Sequence, residues 1–143
     1  MDPHRRAVAD ELLAASREHD AAQDDRVARY RNLEPESAEL LGVLVRATAP
    51  RMILELGTSN GYSTIWLADA AEAVGGRCFS VEIDSARTRQ AREHLQRAGL
   101  RAALIEGDAG GFLRESRDAM WEFVFLDAER PAYAGYWPDL LRV

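Results

Sequence analysis

Four stretches of this chain place glycine, hydroxyl and carboxylate groups where they can meet a small ligand. The first is Glu55-Leu56-Gly57-Thr58-Ser59-Asn60-Gly61-Tyr62-Ser63. Its glycines let the backbone turn sharply and approach a ligand, and a helix starting behind them offers unpaired amides to a carboxylate. The Gly-x-x-x-Gly spacing is not the Gly-x-Gly-x-x-Gly dinucleotide fingerprint, and alone it reads equally as a structural tight turn. The second stretch is Glu82, able to accept two hydrogen bonds from a ribose diol. Beside it, Ile83 suits either the face of an adenine ring or a packed core. The third is Gly107-Asp108-Ala109, where Asp108 can accept from an adenine amino group or cap a helix. The fourth, Asp127-Ala128-Glu129-Arg130, sets two carboxylates beside a guanidinium. Carboxylate oxygens of this kind hold divalent metals or stand solvated.

The elements that must position these stretches alternate. Ala7, Val8, Leu12 and Leu13 recur at helical spacing between Ala7 and Ala15. A second helix opens near Pro35, with Glu36 in its first turn and Leu40, Leu41, Leu44 and Val45 along one face, and ends before Pro50. Met52–Leu56, bounded by Pro50 and Gly57, is the apolar run of a strand buried on both faces. A helix over Ser63–Val74 follows, then a strand over Cys78–Ile83 and a helix from an Asp84 or Ser85 cap to Ala98. Arg101–Glu106 is a weaker strand, Gly111–Arg117 a short helix, and Trp121–Asp127 the clearest strand. A last helix runs from Tyr133, with Pro138 in its first turn or kinking it. This order predicts an α/β fold, a parallel sheet with helices on both faces. The helical segment 1–48 precedes a core over 49–143, together one domain. Ligands of such sheets bind beyond the carboxyl ends of the strands, where all four stretches fall.

Composition narrows the function. The 143 residues, 47% apolar, suit a single domain. A net charge of −6 without a basic run argues against a nucleic-acid partner. All 18 basic side chains other than histidine are arginine. Cys78 is the one cysteine, read as a buried strand residue; it allows no intrachain disulfide and fits a reducing compartment. Neither a signal peptide nor a membrane span is visible, so a cytoplasmic location is expected. His4, His19 and His94 show no metal-ligand spacing.

Taken in order, Glu55-Leu56-Gly57 through Gly61-Tyr62-Ser63, Val81-Glu82-Ile83-Asp84, Glu106-Gly107-Asp108-Ala109 and Phe125-Leu126-Asp127-Ala128-Glu129-Arg130 with Tyr133 resemble the catechol and caffeoyl-coenzyme A O-methyltransferase-like family. The resemblance runs from near Tyr30 to Val143 and implies a Rossmann-like class I methyltransferase fold. It implies that Glu55, Gly57, Gly61, Ser63, Glu82, Ile83, Asp108, Ala109 and Asp127 surround S-adenosylmethionine. Gly57 and Gly61 would shape the turn under the methionine part, Ser63 would bind its carboxylate, and Glu82 would take the ribose hydroxyls. Asp108 and Ala109 would lie along the adenine. Asp127 would serve catalysis as the first ligand of a divalent cation, magnesium or calcium. The implied reaction is methyl transfer to a hydroxyl of a small, aromatic or other acceptor; Tyr133, Tyr136 and Trp137 suit the border of an acceptor pocket and equally core or subunit contacts.

Two departures stand out. The family commonly has lysine three residues after the metal-binding aspartate; here that residue is Arg130, too basic to act as a base and better cast as an anion clamp or ion-pair partner. The family also continues into further strands and an Asp-Asn metal pair, whereas Leu140-Leu141-Arg142-Val143 carries no helix stop signal. A sheet lacking its C-terminal strands is therefore expected. These departures leave open a non-catalytic nucleoside-binding or dimerisation module, and a homodimer is compatible with either reading.

Overall fold

The computed structural model describes residues 1–143. Its elements are α1 (Pro3–Ala21), α2 (Pro35–Thr48), β1 (Met52–Leu56), α3 (Tyr62–Val74), β2 (Arg77–Glu82), α4 (Ser85–Arg97), β3 (Ala103–Glu106), α5 (Ala109–Glu115), β4 (Phe123–Leu126) and α6 (Tyr133–Leu140), with a 3-10 turn at Arg130–Ala132. The four strands are parallel in the order β3-β2-β1-β4. Their register aligns Leu56 with both Val81 and Leu126, and Glu82 with Glu106, so the carboxyl ends lie along one edge.

Alternation along β1 divides the core. Ile53 faces α1 to α4, joining Val8, Leu12, Leu41, Val45, Ile65 and Leu95. Leu54 and Leu56 face the other way, onto Leu113, Trp121 and Val143 beneath α5 and α6. The first layer is the thicker, because α1 and α2 both lie on it. Buried Asp69 of α3 binds Arg5 of α1 and Arg46 of α2, which ties the three helices together.

Several boundaries differ from the sequence reading for local reasons. The first helix begins at Pro3, since the Asp2 side chain caps it by accepting from the Arg5 amide. Likewise α5 begins at Ala109 because Asp108 caps it. On α2 the buried face is Ala38, Leu41, Gly42 and Val45, while Leu40, Val43 and Leu44 are exposed. Leu40 and Leu44 therefore leave the expected stripe; with apolar residues around most of the helix, periodicity alone could not choose the face. Pro138 stands inside α6, beyond its first turn. No helix is long and apolar enough to cross a membrane.

Candidate functional site

The strand ends converge because two glycines permit it. Gly57 has φ +101°, and a Cβ placed there would lie 2.6 Å from the Asp127 carbonyl oxygen. Any side chain would drive the β1 loop away from the end of β4. Gly61, the N-cap of α3, has φ +89°, and its Cβ would lie 2.9 Å from Ala91 Cβ on α4. This second glycine serves the contact between α3 and α4. Between them, Ser59 adopts φ +50° without being glycine, which turns its amide toward β2.

That amide meets Glu82. The Glu82 carboxylate accepts from the Ser59 amide at 2.7 Å and the Asp84 amide at 3.0 Å, joining the loops after β1 and β2. Each of its oxygens retains acceptor capacity after those bonds. Ile83, just past β2, is 75% exposed and so takes no part in the core. Asp108 Oδ2 accepts from the Gly111 amide at 2.7 Å, while Oδ1 has no partner within the protein. Half-buried Ala109 starts the helix behind it.

Glu55 is fully buried, on the α3 side of the sheet like Ile53. Ser63 Oγ donates to its Oε1, and Thr64 Oγ1 and Ser80 Oγ donate to its Oε2, each at 2.5 Å. Ser80 has one hydroxyl proton and commits it to Glu55, so the Thr58 hydroxyl, 2.5 Å away, donates to Ser80. Burial pushes the Glu55 carboxyl up to about 7; the three hydroxyls pull against that, and the Asp127 carboxylate adds to it. Glu55 thus lies under the loop and reaches no open surface, and the Ser63 proton is directed inward to it.

At the end of β4 the environment is different. The Asp127 backbone amide bonds to Leu56 O at 2.9 Å, while its side chain is at the surface. Surrounding protein still removes enough water to raise its carboxyl above the ordinary range, against the pull of Arg31 and Arg130. Arg31, in the α1–α2 linker, ion-pairs with Glu129. The same linker is held by the Ser59 hydroxyl on Tyr30 O at 3.4 Å and by Arg87 on Val27 O at 2.7 Å. The Tyr133 hydroxyl donates to Leu126 O at 3.1 Å. Two surface depressions, one around Leu95, Leu100 and Leu104 and one around Arg6, Val43 and Trp66, lie away from these strand ends.

Residues 6–143 match the family model described as O-methyltransferase. The chain belongs to this O-methyltransferase family. It is 34% identical over 127 residues to a catechol O-methyltransferase of Mycobacterium tuberculosis, covering 87% of this chain and 56% of that protein. An O-methyltransferase from Bacillus cereus, solved in complex with SAH, superposes with a TM-score of 0.76 at 29% identity, over 94% of this chain and 60% of that one. The O-methyltransferase TomG from Streptomyces achromogenes, solved in complex with SAM, gives 0.74 at 28% identity, over 99% and 60%. The chain spans about half the length of the curated relatives it matches. Its parallel sheet flanked by helices is the class I SAM-dependent methyltransferase arrangement, with fewer strands than typical full-length members.

Within this O-methyltransferase fold, Gly57, Glu82, Ile83, Asp108, Ala109 and Asp127 stand at or just beyond strand ends along one edge. Gly61, Ser63 and Glu55 stand behind the first loop, in helix packing and in the hydroxyl cluster. Sequence reasoning passed over Tyr30 and Arg31, whose linker has no periodicity; Arg31, with φ +54°, adopts a backbone region uncommon outside glycine. The Arg130 side chain forms neither a hydrogen bond nor an ion pair and acts on Asp127 through space. No group of three His, Cys, Asp or Glu side chains converges as metal ligands. With Glu129 turned to Arg31, Asp127 is a single oxygen ligand, and the residues present do not fit a divalent cation.

Proposed function

We propose that the strand ends and the loops after them border a crevice that binds S-adenosylmethionine, and that the protein transfers its methyl group to a hydroxyl of a small acceptor, aromatic acceptors included. The observation that carries the reading is Glu82: a 9% exposed carboxylate fixed by two loop amides with acceptor sites to spare, as a ribose diol requires. When bound, the ligand supplies a methyl group on a positively charged sulfur, open to in-line attack by an oxygen. Ile83 and Ala109 would flank its adenine and Asp108 Oδ1 would accept from the amino group. The first-turn amides of α3 would offer donors to its carboxylate. Asp127 would take the acceptor's proton, since its raised carboxyl is a better proton acceptor than an ordinary aspartate and Glu129 is held by Arg31. Alignment of the two reactants supplies much of the rate, up to roughly 7 to 11 kcal/mol in model systems.

Calorimetry with S-adenosylmethionine and S-adenosylhomocysteine tests the reading. Binding by the wild-type chain that weakens at least about tenfold in Glu82→Ala is expected, and no binding to a folded chain refutes it. Asp127→Asn should keep the fold and bind S-adenosylhomocysteine, yet lose about tenfold or more in methyl transfer by the protein that carries activity. The exposed apolar side of α2, Leu40, Val43 and Leu44, supports a homodimer as a second property of the chain. Sedimentation velocity of wild type against Leu40→Glu tests that, and a wild-type monomer at every concentration excludes it.

A further inference from the structure

Charge pairing in this molecule is selective. Arginines meet Asp2, Glu11, Glu34, Glu39, Asp69, Glu72, Asp118, Glu129 and Asp139, most of them at the surface, and Arg114 reaches Asp108 beyond β3 at 3.9 Å. Glu55, Glu82 and Asp127, all close to the carboxyl ends of β1, β2 and β4, make no ion pair. Among them Glu55 is the most secluded, and every group turned toward it is neutral or acidic. From α3 come the Ser63 and Thr64 hydroxyls, and from β2 the Ser80 hydroxyl and the Cys78 thiol, which burial and Glu55 together hold protonated. From the β4 end comes the Asp127 carboxylate. A buried carboxylate without a cation is costly, and hydroxyl donors reduce that cost without supplying opposite charge. Seclusion also keeps its field strong, because little water lies between it and the crevice to screen it.

We infer that Glu55 is a specificity-determining residue acting by charge through the floor of the crevice, where it favours the cationic sulfonium ligand over the neutral thioether left after methyl transfer. The inference rests on the crevice being the S-adenosylmethionine site. In the transfer, sulfur keeps the electron pair of its broken bond to the methyl carbon and becomes neutral, and the methyl carbon bonds to the acceptor oxygen. The acceptor's proton leaves to a base. The attraction from below is therefore present before transfer and gone after it, which holds the substrate form and releases the product form. The device needs Glu55 ionised, and its carboxyl titrates near neutrality, so the discrimination should grow as pH rises through that range.

The test measures dissociation constants of S-adenosylmethionine and S-adenosylhomocysteine from about pH 6 to about pH 8, for wild type and Glu55→Gln. The ratio of the two constants should shift toward S-adenosylmethionine by roughly threefold to tenfold more in wild type than in Glu55→Gln. Ionisation of the ligands is common to both proteins and cancels in that comparison. Equal pH dependence in the two proteins overturns the inference and leaves the cofactor reading standing, whereas no binding of either ligand to wild type overturns both. Should Glu55→Gln fail to fold, carbon-13 NMR of the carboxyl groups in the unmutated chain decides the matter. One carboxyl titrating near neutrality should drop its midpoint with S-adenosylmethionine and not with S-adenosylhomocysteine. The same midpoint with both ligands rejects the inference.

Discussion

At the β1 and β2 ends of the crevice, Glu55, Thr58, Ser63, Thr64, Ser80 and Glu82 are buried, and each hydrogen-bonds another part of the chain. At the β4 end, Asp127, Glu129 and Arg130 are at the surface, and of these only Glu129 is ion-paired, to Arg31 of a linker. The first half is built by folding itself: its polar groups satisfy one another, so its shape is as stable as the core around it. The second half consists of surface side chains, of which only Glu129 has an ion-pair partner, and such exposed pairs contribute little to stability. Under the proposed function the first half would hold the cofactor and the second would meet the acceptor.

Substitutions should separate the halves by the size of their effect. The largest loss is expected at Gly57, where valine meets both a left-handed backbone and the Asp127 carbonyl; Gly57→Val should cost about 3 kcal/mol or more. A thermal melt should show a fall of roughly 6 to 12 °C, and an unchanged melting temperature would break the claim that this half is rigid.

Next comes the buried acid. Glu55 has its carboxyl raised by burial from 4.5 to about 7. The folded chain therefore holds the proton more tightly than the unfolded one. The associated stability is fully present below about pH 4.5 and is lost as pH rises through about 7, to the extent of some 3 kcal/mol. Denaturant unfolding between about pH 5 and about pH 8 should show this decline, and Glu55→Gln should flatten it; a wild-type curve that rises over that window contradicts it.

Glu82→Ala leaves the partly buried amide bonds of Ser59 and Asp84 without their acceptor, at about 2 kcal/mol by the same unfolding measurement. Arg31→Ala, which removes an ion pair between exposed groups, should change stability by less than about 0.5 kcal/mol. A loss at Arg31 as large as that at Glu82 would erase the contrast between the two halves.

The alternation of strands and helices was legible in the chain, and so were the four strand-end stretches, because strands buried on both faces and glycine-bounded loops leave local marks. Asp2 shows the limit of that reading: it lengthens its helix through a side-chain cap that a periodicity pattern does not weigh, whereas the cap open to Asp108 was legible and only the helix start, at Ala109 instead of Gly111, was not. Leu40 and Leu44 show another, since a helix apolar on most sides does not declare which side its neighbours cover. Arg31 carried no signal, because its partner Glu129 lies 98 residues away.

By itself the sequence determined the element order, the turn at Gly57 to Gly61, and the presence of an acid at or near the end of strands β1, β2 and β4. Those follow from local steric rules and from the period of apolar residues. Only the tertiary structure decided which acid faces which medium. Packing of α3 across β1 and β2 sealed Glu55 beneath three hydroxyls, the loop amides fixed Glu82 beside them, and the end of β4 left Asp127 at the surface, partly shielded from water. A carboxylate's charge state depends on its distance from solvent and from other charges, and the folded chain sets those distances.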